Sequence, residues 1–276
     1  MGYTRPTTTT RDMLVAAPLP NHGKTYTVIP HKDVIETTKT LLDKNGFRIT
    51  KELYRANMNA KVAQGVYHLA STKDEEMGMM FAWTNSYDKS TRFQCAVGAF
   101  VNVCSNGMLC GDMANYARKH TGKADHDIHT QISSQIKSAN KYFDKLIDDK
   151  NKMRQIFLPK KNQAELVGRL FLDEEIIDAS QVSVIKAEMK DPSYHYSADL
   201  NNAWTFYNHV THSFKKSHPR TWMSDQVKFH EFMTAELLSQ VGLHQKDNNW
   251  DLSKIESDWD ADMEAQEYDT FEEYKV

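Results

Sequence analysis

The chain has 276 residues, and its 34 Lys and Arg residues nearly balance its 37 Asp and Glu residues, for a formal net charge of -3. That total combines two regions of opposite sign. Residues 251–276 contain ten acidic and two basic residues, a charge of -8, which leaves residues 1–250 with a charge of +5. Such an asymmetry favours contact with nucleic acid, or masking of a basic surface by the acidic segment.

Composition also excludes several classes of protein. With 40% hydrophobic residues the chain can bury a substantial core. No apolar run reaches the roughly 18 residues that a membrane-spanning helix requires, and the first residues do not resemble a signal peptide. The three cysteines, Cys95, Cys104 and Cys110, are an odd number, which fits reduced thiols better than a disulfide framework. We therefore expect a cytoplasmic protein that does not contact a membrane.

The first half of the chain predicts an arm, a helix and an antiparallel sheet. Residues 1–25 include four consecutive threonines and no periodic apolar face, so we expect a flexible arm. A helix is predicted from Lys32 to Lys44, ended by Asn45-Gly46. Four β-rich runs follow, the first two joined as a hairpin near Asn59-Ala60: Phe47–Met58, Lys61–Ser71, Met77–Thr84 and Thr91–Val103. In the last run, alternation predicts a second face, containing Gln94 and Phe100, that is exposed or faces a ligand.

The second half predicts helices. An apolar stripe indicates one long helix from Ile128 to Asn151. Further helices are expected at Gln163–Leu172, Ser180–Met189, Leu200–Phe214 and Ser224–Val241. We therefore predict an α+β fold: a mostly antiparallel sheet packed by a long helix, followed by a helical C-terminal section and an acidic tail. The predicted organisation is an arm (1–25), one domain (26–245) and a mobile tail (246–276).

Short catalytic and metal-binding motifs are absent from the sequence. There is no glycine-rich nucleotide loop, no H-E-x-x-H and no nucleophile elbow. The cysteines are spaced as C-x8-C and C-x5-C rather than as the close pairs of a zinc site, so we predict neither a metal nor a cofactor. An enzyme site remains an open hypothesis at a polar group formed by Asn85, Asp88, Asn106 and Asp112, which lie at predicted strand ends.

Three short motifs carry a resemblance to a known family. Asn85, Ser86 and Asp88 form N-S-x-D, and Cys104, Asn106 and Gly107 belong to V-C-S-N-G-M one strand later. Both also fit ordinary turns, since Asn, Ser and Asp side chains satisfy local backbone donors. A later helical segment contains Asn202, Trp204, Tyr207 and Asn208 in the pattern N-x-W-x-x-Y-N-x-V-T.

Together these motifs resemble the phage and plasmid family called domain of unknown function 932, over roughly residues 30–240. Membership implies a mobile-element origin and a bacterial host cytoplasm, with no settled activity. Tyr87 stands where His is frequent in that family, and Lys89 where Gly is frequent. These two departures weaken the hypothesis of a catalytic imidazole at that turn.

Basic and aromatic residues interleave in the predicted strands. A positively charged groove with aromatic rings on which bases stack is the minimum that a protein needs to bind single-stranded DNA without reading its sequence. The order of helix, hairpin, strands and long helix also resembles the core of phage single-strand annealing proteins of the Rad52 type. We therefore predict a single-stranded DNA-binding accessory protein in replication or recombination, with annealing as one form of that role. The candidate contacts are Lys51, Arg55, Lys61, Tyr87, Lys89, Arg92, Lys137, Lys141 and Lys145.

A different class of function is also open from the sequence. A phage-encoded inhibitor of a host defence protein could use the acidic tail, which carries aromatic residues between Trp250 and Tyr274, to bind a basic host surface. The predicted partner is therefore single-stranded DNA or a host protein. Self-association is a further expectation, because the β-rich middle can leave strand edges open.

Overall fold

A computed structural model describes residues 7–21, 27–109, 124–196 and 199–238. A six-stranded sheet runs in the order β1-β2-β3-β4-β5-β6, and every neighbouring pair is antiparallel. The strands are β1 (Thr7–Thr9), β2 (Ile49–Ala56), β3 (Val62–Leu69), β4 (Met77–Ser86), β5 (Gln94–Val101) and β6 (Gly107–Leu109). The sheet is therefore a simple meander in which each strand pairs with the next one in the chain.

Helices surround this sheet and form the C-terminal section. Their bounds are α1 (Arg11–Val15), α2 (His31–Lys44), α3 (Ala124–Lys137), α4 (Ala139–Gln155), α5 (Lys160–Leu172), α6 (Ala179–Lys190), α7 (Ala203–Ser213) and α8 (Trp222–Met233). A 3-10 turn, Phe214–Lys216, follows α7, and a π-helical turn, Thr234–Leu238, follows α8. The predicted α+β class is confirmed, including the antiparallel sheet, the hairpin near Asn59-Ala60 and the helical C-terminal section.

Both faces of the central strands are buried, because helices cover the sheet on two sides. All ten residues of β4 are buried. On one face Trp83 lies beside His31 at the start of α2, and on the other face the Thr84 hydroxyl donates to the Pro219 carbonyl ahead of α8. The expectation of an exposed or ligand-facing second side of β5 is therefore only partly correct: Ala96 and Gly98 on that side are buried, whereas Gln94 and Phe100 are partly exposed.

Two further expectations need correction. The predicted long helix is two helices, α3 and α4, which break at Ser138. The predicted flexible arm contains structure: Thr7–Thr9 pairs with the outer edge of β2, and Leu14 of α1 is buried in the main core. Alternation and helical periodicity indicate which side chains are buried. They do not indicate where a helix breaks or whether a short terminal strand pairs with the sheet.

Buried polar pairs join the helical layer to the rest of the molecule. Nε2 of His230 on α8 lies 3.1 Å from Oδ2 of Asp149 on α4. The other ring nitrogen, Nδ1, lies 3.3 Å from the hydroxyl of Tyr207 on α7. The next residue of α4, Lys150, extends the pairing to the β3–β4 loop, with Nζ 2.6 Å from Oδ2 of Asp74. Three helices and one loop of the sheet are thus tied together in the interior.

No helix in the described part of the chain is both long and apolar enough to span a membrane. The predicted acidic tail, residues 246–276, lies outside the described residues, as do Cys110 and Asp112.

Candidate nucleic-acid interface

The first family motif ties the end of β4 to the start of α2. Nδ2 of Asn85 donates to the Ile29 carbonyl (2.8 Å) and lies 2.9 Å from Nδ1 of His31. Nε2 of His31 lies 2.9 Å from the Ala60 carbonyl, which can only accept. The His31 ring therefore carries its proton on Nε2 and accepts from Asn85 at Nδ1. These buried bonds fix helix α2 against the β2–β3 turn.

Tyr87 belongs to the same structural tie and is not an exposed stacking platform. Its ring stacks on His31, with centroids 3.9 Å apart, and its hydroxyl accepts from the His31 backbone N–H. That bond satisfies one of the N–H groups that a helix leaves unpaired at its start. Only 7% of Tyr87 is exposed, so the prediction that it contacts nucleic acid is wrong. The other aromatics that interleave with basic residues in the strands are likewise buried: Tyr54, Tyr67, Trp83 and Phe93.

The rest of the first motif builds the β4–β5 turn. The Ser86 hydroxyl donates to the Thr91 carbonyl, and the Asp88 carboxylate accepts from the backbone N–H of Ser90. Asp88 is exposed and Lys89 has a left-handed backbone, with φ of 65°. The motif therefore shapes a turn that presents charged side chains to solvent.

The second and third family motifs meet each other at the opposite end of the sheet. Nδ2 of Asn106 lies 3.0 Å from the Asn208 carbonyl and 3.3 Å from the Tyr196 hydroxyl. Asn202 caps α7 by accepting from the Thr205 N–H, and a side chain on Gly107 would meet α8 at Trp222 and Gln226. These residues lock the β5–β6 loop onto α7.

Further members of these motifs also belong to the interior. Trp204 and Tyr207 are fully buried on α7, with their rings stacked 5.8 Å apart. The Cys104 sulfur accepts from the Asn106 N–H, and burial raises the pKa of the thiol. Among the described residues no group of three or more His, Cys, Asp or Glu could hold a metal ion.

The hypothesis of one enzyme site around Asn85, Asp88 and Asn106 is wrong. Asn85 pairs with Ala63, near the β2–β3 turn, whereas Asn106 lies in the β5–β6 loop beside Val101, which pairs with Met77 at the other end of β4. The antiparallel register therefore separates these polar groups by the length of a strand. Sequence proximity had grouped residues that the meander places at opposite ends.

Several predicted basic contacts meet at the end of the sheet that contains the β2–β3 and β4–β5 turns. The two turns are neighbours, because the backbone N–H of Tyr87 donates to the Lys61 carbonyl. Lys61, Lys89 and Arg92 are all exposed there. Three cationic side chains that are far apart in sequence are thereby presented on adjacent turns.

Arg55 brings a third basic segment to the same place. From β2 its guanidinium donates to the Ser217 carbonyl, at 2.6 Å, and reaches toward the Lys215 carbonyl at 3.4 Å. These bonds hold the loop 215–220, whose sequence is Lys-Lys-Ser-His-Pro-Arg, beside the turns. Burial lowers the pKa of Arg55 from its ordinary value. Arg55 was predicted as a direct contact, but it acts here as the anchor of a basic loop.

Loop 215–220 also lies beside the end of β4, because the Thr84 hydroxyl donates to the Pro219 carbonyl. The pKa of His218 in this loop is lowered, first by burial and then by the positive charges of Arg220 and Arg55, against an opposing effect of Asp88. Loop 215–220 is therefore within electrostatic range of both β2 and the β4–β5 turn. We call this region the basic turn surface and define it by Lys61, Lys89, Arg92, Lys216, His218 and Arg220, with Arg55 as its anchor.

The other predicted contacts lie elsewhere. Lys51 pairs in register with His68, toward the end of the sheet remote from Lys61. Lys137, Lys141 and Lys145 are exposed on α3 and α4, and none of the three forms an ion pair with another described residue. The nine predicted contacts therefore do not form one continuous groove. The sequence analysis missed loop 215–220, although a run of three Lys or Arg residues and one His in six positions is itself a recognised signal.

A partly buried carboxyl group beside loop 215–220 predicts a pH-dependent stability. Asp225 on α8 bonds the Ser217 and Thr221 side chains, yet burial raises its pKa from 3.8 to about 6. Because the folded state binds this proton more tightly than the unfolded state, ionisation of Asp225 lowers the free energy of unfolding. This penalty is absent below pH 4, develops between pH 4 and 6, and persists above pH 6. A shift of this size corresponds to about 3 kcal/mol.

We expect Asp225→Asn to raise the free energy of unfolding by about 2 kcal/mol at pH 8, and by only about a third as much at pH 4.5. At pH 4.5 the carboxyl is protonated in the folded state but already mostly ionised in the unfolded state, so only part of the penalty has developed. Urea unfolding at the two pH values measures this difference. The exposed Asp173→Asn variant is the control and should change stability little at either pH. An equal effect of Asp225→Asn at pH 4.5 and pH 8 would contradict the assignment.

Comparison with known proteins identifies the family. Residues 18–257 match the family described as Domain of unknown function (DUF932), so the chain belongs to that family, as its three motifs indicated. No solved structure gives a significant match to this chain.

Proposed function

We propose that this protein binds single-stranded DNA through its phosphates at the basic turn surface. The observation that carries the proposal is the convergence of two β turns with loop 215–220, which Arg55 holds in place. Three separate segments present cationic groups on one side of the molecule, as a phosphate-binding surface requires. Membership of the matched family is compatible with this role and does not assign it.

Phosphate contact, rather than base stacking, is the mode that the described residues support. The strand aromatics that could stack on bases are in the core, so binding is expected to be electrostatic. For single strands, the logarithm of affinity then falls with the logarithm of salt concentration with a slope of about -0.7 per neutralised phosphate. Four contacts would give a slope of roughly -3.

The test compares two sets of basic residues in the full chain. We expect replacement of Lys61, Lys89, Arg92 and Lys216 by Gln to weaken binding of a labelled oligo-dT by about 100-fold at 50 mM salt and to remove most of the salt slope. The control variant replaces Lys137, Lys141 and Lys145 by Gln and should bind nearly as the wild type does. Fluorescence anisotropy over a salt series measures both, and a duplex of equal length tests the preference for single strands.

An equal loss in the control variant would place binding on α3 and α4 instead. Binding that is undetectable at 50 mM salt both in the wild type and in a chain ending at residue 250 would refute the function.

The acidic segment enters the same experiment. With a charge of -8, residues 251–276 should compete with phosphates, so a chain ending at residue 250 should bind the oligonucleotide more tightly. If that truncated chain binds no DNA at low salt, the inhibitor hypothesis becomes the better one. A role in phage or plasmid replication or recombination, including annealing, is part of this proposal.

A further inference from the structure

A relay of three side chains lies where loop 215–220 joins α7. Nζ of Lys215 lies 3.4 Å from Nδ1 of His212, one helical turn earlier. Nε2 of the same imidazole lies 3.8 Å from Oε1 of Glu188 on α6. Since Lys can only donate, Nδ1 of His212 is the acceptor, and the ring proton is on Nε2, facing the carboxylate. The three groups are thus ordered as amine, imidazole and carboxylate.

The carboxylate at the far end of the relay is fixed in the interior. Glu188 is 5% exposed, and it accepts from both the hydroxyl and the backbone N–H of Ser193. His212 is partly exposed, and Lys215 reaches solvent. A buried orienting carboxylate, an intermediate imidazole and an accessible amine reproduce the arrangement in which a nucleophile is activated by an oriented base.

We propose that Lys215 is a nucleophilic amine that forms an imine with an aldehyde, with His212 as the proton acceptor and Glu188 as the residue that positions His212. Nothing in the phosphate-binding function requires this activity, since Lys215 is not one of the residues that define the basic turn surface. The inference therefore stands independently of the proposed function.

The charged and titratable groups around Lys215 are consistent with this chemistry. Its Nζ donates to the Cys104 carbonyl at 2.8 Å and lies 5.5 Å from the centre of the Tyr194 ring. Burial lowers the pKa of Lys215, and this effect exceeds the opposing effects of Cys104 and Glu188. A larger fraction of neutral amine is therefore present near pH 7 than for an ordinary lysine. The pKa of His212 is also lowered, by burial and by Lys215, which keeps the imidazole neutral and able to accept a proton.

The reaction balances without an oxidant or reductant. Lys215 gives a proton to Nδ1 of His212, and the resulting imidazolium faces the Glu188 carboxylate. The free lone pair attacks the carbonyl carbon, so that a C–N bond forms and the C=O double bond becomes a C–O⁻ alkoxide. The alkoxide takes one of the two protons that remain on the nitrogen and becomes a C–OH group. His212 then returns its proton to this hydroxyl group, and one water molecule departs as the C=N bond forms, which leaves a protonated imine.

The test traps the imine in the intact wild-type chain. Benzaldehyde with cyanoborohydride reduces each imine to a stable secondary amine, and peptide mass spectrometry gives the labelling rate of each lysine. We expect Lys215 to react at least about tenfold faster than Lys216 at pH 7, which is a modest part of the usual contribution of a positioned base. Lys216 is the matched control, since it is adjacent and also exposed. Equal or slower labelling of Lys215 would overturn the proposal.

Two variants separate activation from simple exposure. His212→Asn should reduce Lys215 labelling to the rate of Lys216, and Glu188→Gln should move the midpoint of the Lys215 pH–rate profile while that of Lys216 stays fixed. Wild-type rates alone can refute the proposal if a variant fails to fold.

An oligonucleotide with one base-free deoxyribose distinguishes the source of the aldehyde: trapping at Lys215 indicates DNA, and labelling by benzaldehyde alone indicates a small aldehyde. Failure of the oligo-dT experiment would leave the benzaldehyde result unaffected.

Discussion

Replacing Asp149 by alanine is expected to lower the free energy of unfolding by about 2–3 kcal/mol, the upper part of the usual cost of leaving a buried hydrogen-bond donor without its acceptor. Asp149 and His230 are both buried, and His230 Nε2 donates to Oδ2 of Asp149 over 3.1 Å. Without the carboxylate, the His230 N–H has no acceptor. The imidazole ring also loses the orientation in which its Nδ1 contacts the Tyr207 hydroxyl. Since Asp149, Tyr207 and His230 lie on three different helices, the loss should affect the whole C-terminal layer.

The neighbouring Asp148 provides a matched control. Its carboxylate is 61% exposed and forms an i,i+4 ion pair with Lys152. Exposed helical pairs of this kind contribute about 0.3–0.5 kcal/mol, so Asp148→Ala should have a small effect. Asp149→Asn retains an acceptor for His230 and should recover part of the loss. Urea unfolding followed by circular dichroism measures all three variants, and similar values for Asp148→Ala and Asp149→Ala would show that the contact between Asp149 and His230 does not contribute to stability.

Gly65→Ala is expected to destabilise the protein by about 3 kcal/mol, at the upper end of the usual range for overpacking a core. Gly65 lies opposite Trp83 in the β3–β4 pair, and a methyl group at this position would overlap the indole ring. The ring has no room to retreat, because Trp83 is fully buried, its Nε1 donates to the Tyr67 hydroxyl, and His31 and Tyr54 lie around it. The substitution therefore forces a shift in the strands themselves.

Gly168→Ala is the control for this substitution. Gly168 lies on α5, and an added methyl group would meet nothing within 4 Å. Alanine in a helix is favoured over glycine by up to about 1 kcal/mol, so this variant should be slightly more stable than the wild type. Opposite signs for the two substitutions are the expected result, measured as shifts in melting temperature and urea midpoint. A neutral Gly65→Ala variant would show that the strand pair can accommodate the methyl group.

Local sequence patterns predicted most elements correctly. The strands near Met77–Thr84 and Thr91–Val103, the hairpin near Asn59-Ala60 and the helix after Pro30 all appear, because burial periodicity and turn chemistry act over a few residues. The motif residues Asn85, Asn106 and Asn208 were also singled out correctly as special. The interpretation of Asn85 and Asn106 as turn residues was incomplete, since each also bonds a segment that is distant in sequence.

The candidate interface was only partly accessible from the sequence. Charge counting selected Lys61, Lys89 and Arg92, which do meet on adjacent turns. It also selected Tyr87 and Arg55, whose side chains are used inside the fold, because residue type does not reveal whether a polar atom already has a partner. Loop 215–220 joins the surface through contacts such as that between Arg55 and Ser217, which spans 162 residues of sequence.

The sequence by itself determined the basic body, the acidic end, the α+β order and the family, because these depend on composition, local periodicity and short motifs. The tertiary structure alone decided which charges share a surface. Antiparallel register brings the β2–β3 and β4–β5 turns together and moves Lys51 and Asn106 to the other end of the sheet. The placement of Lys215, His212 and Glu188 was decided in the same way, by the packing of α6 against α7, which no local pattern encodes.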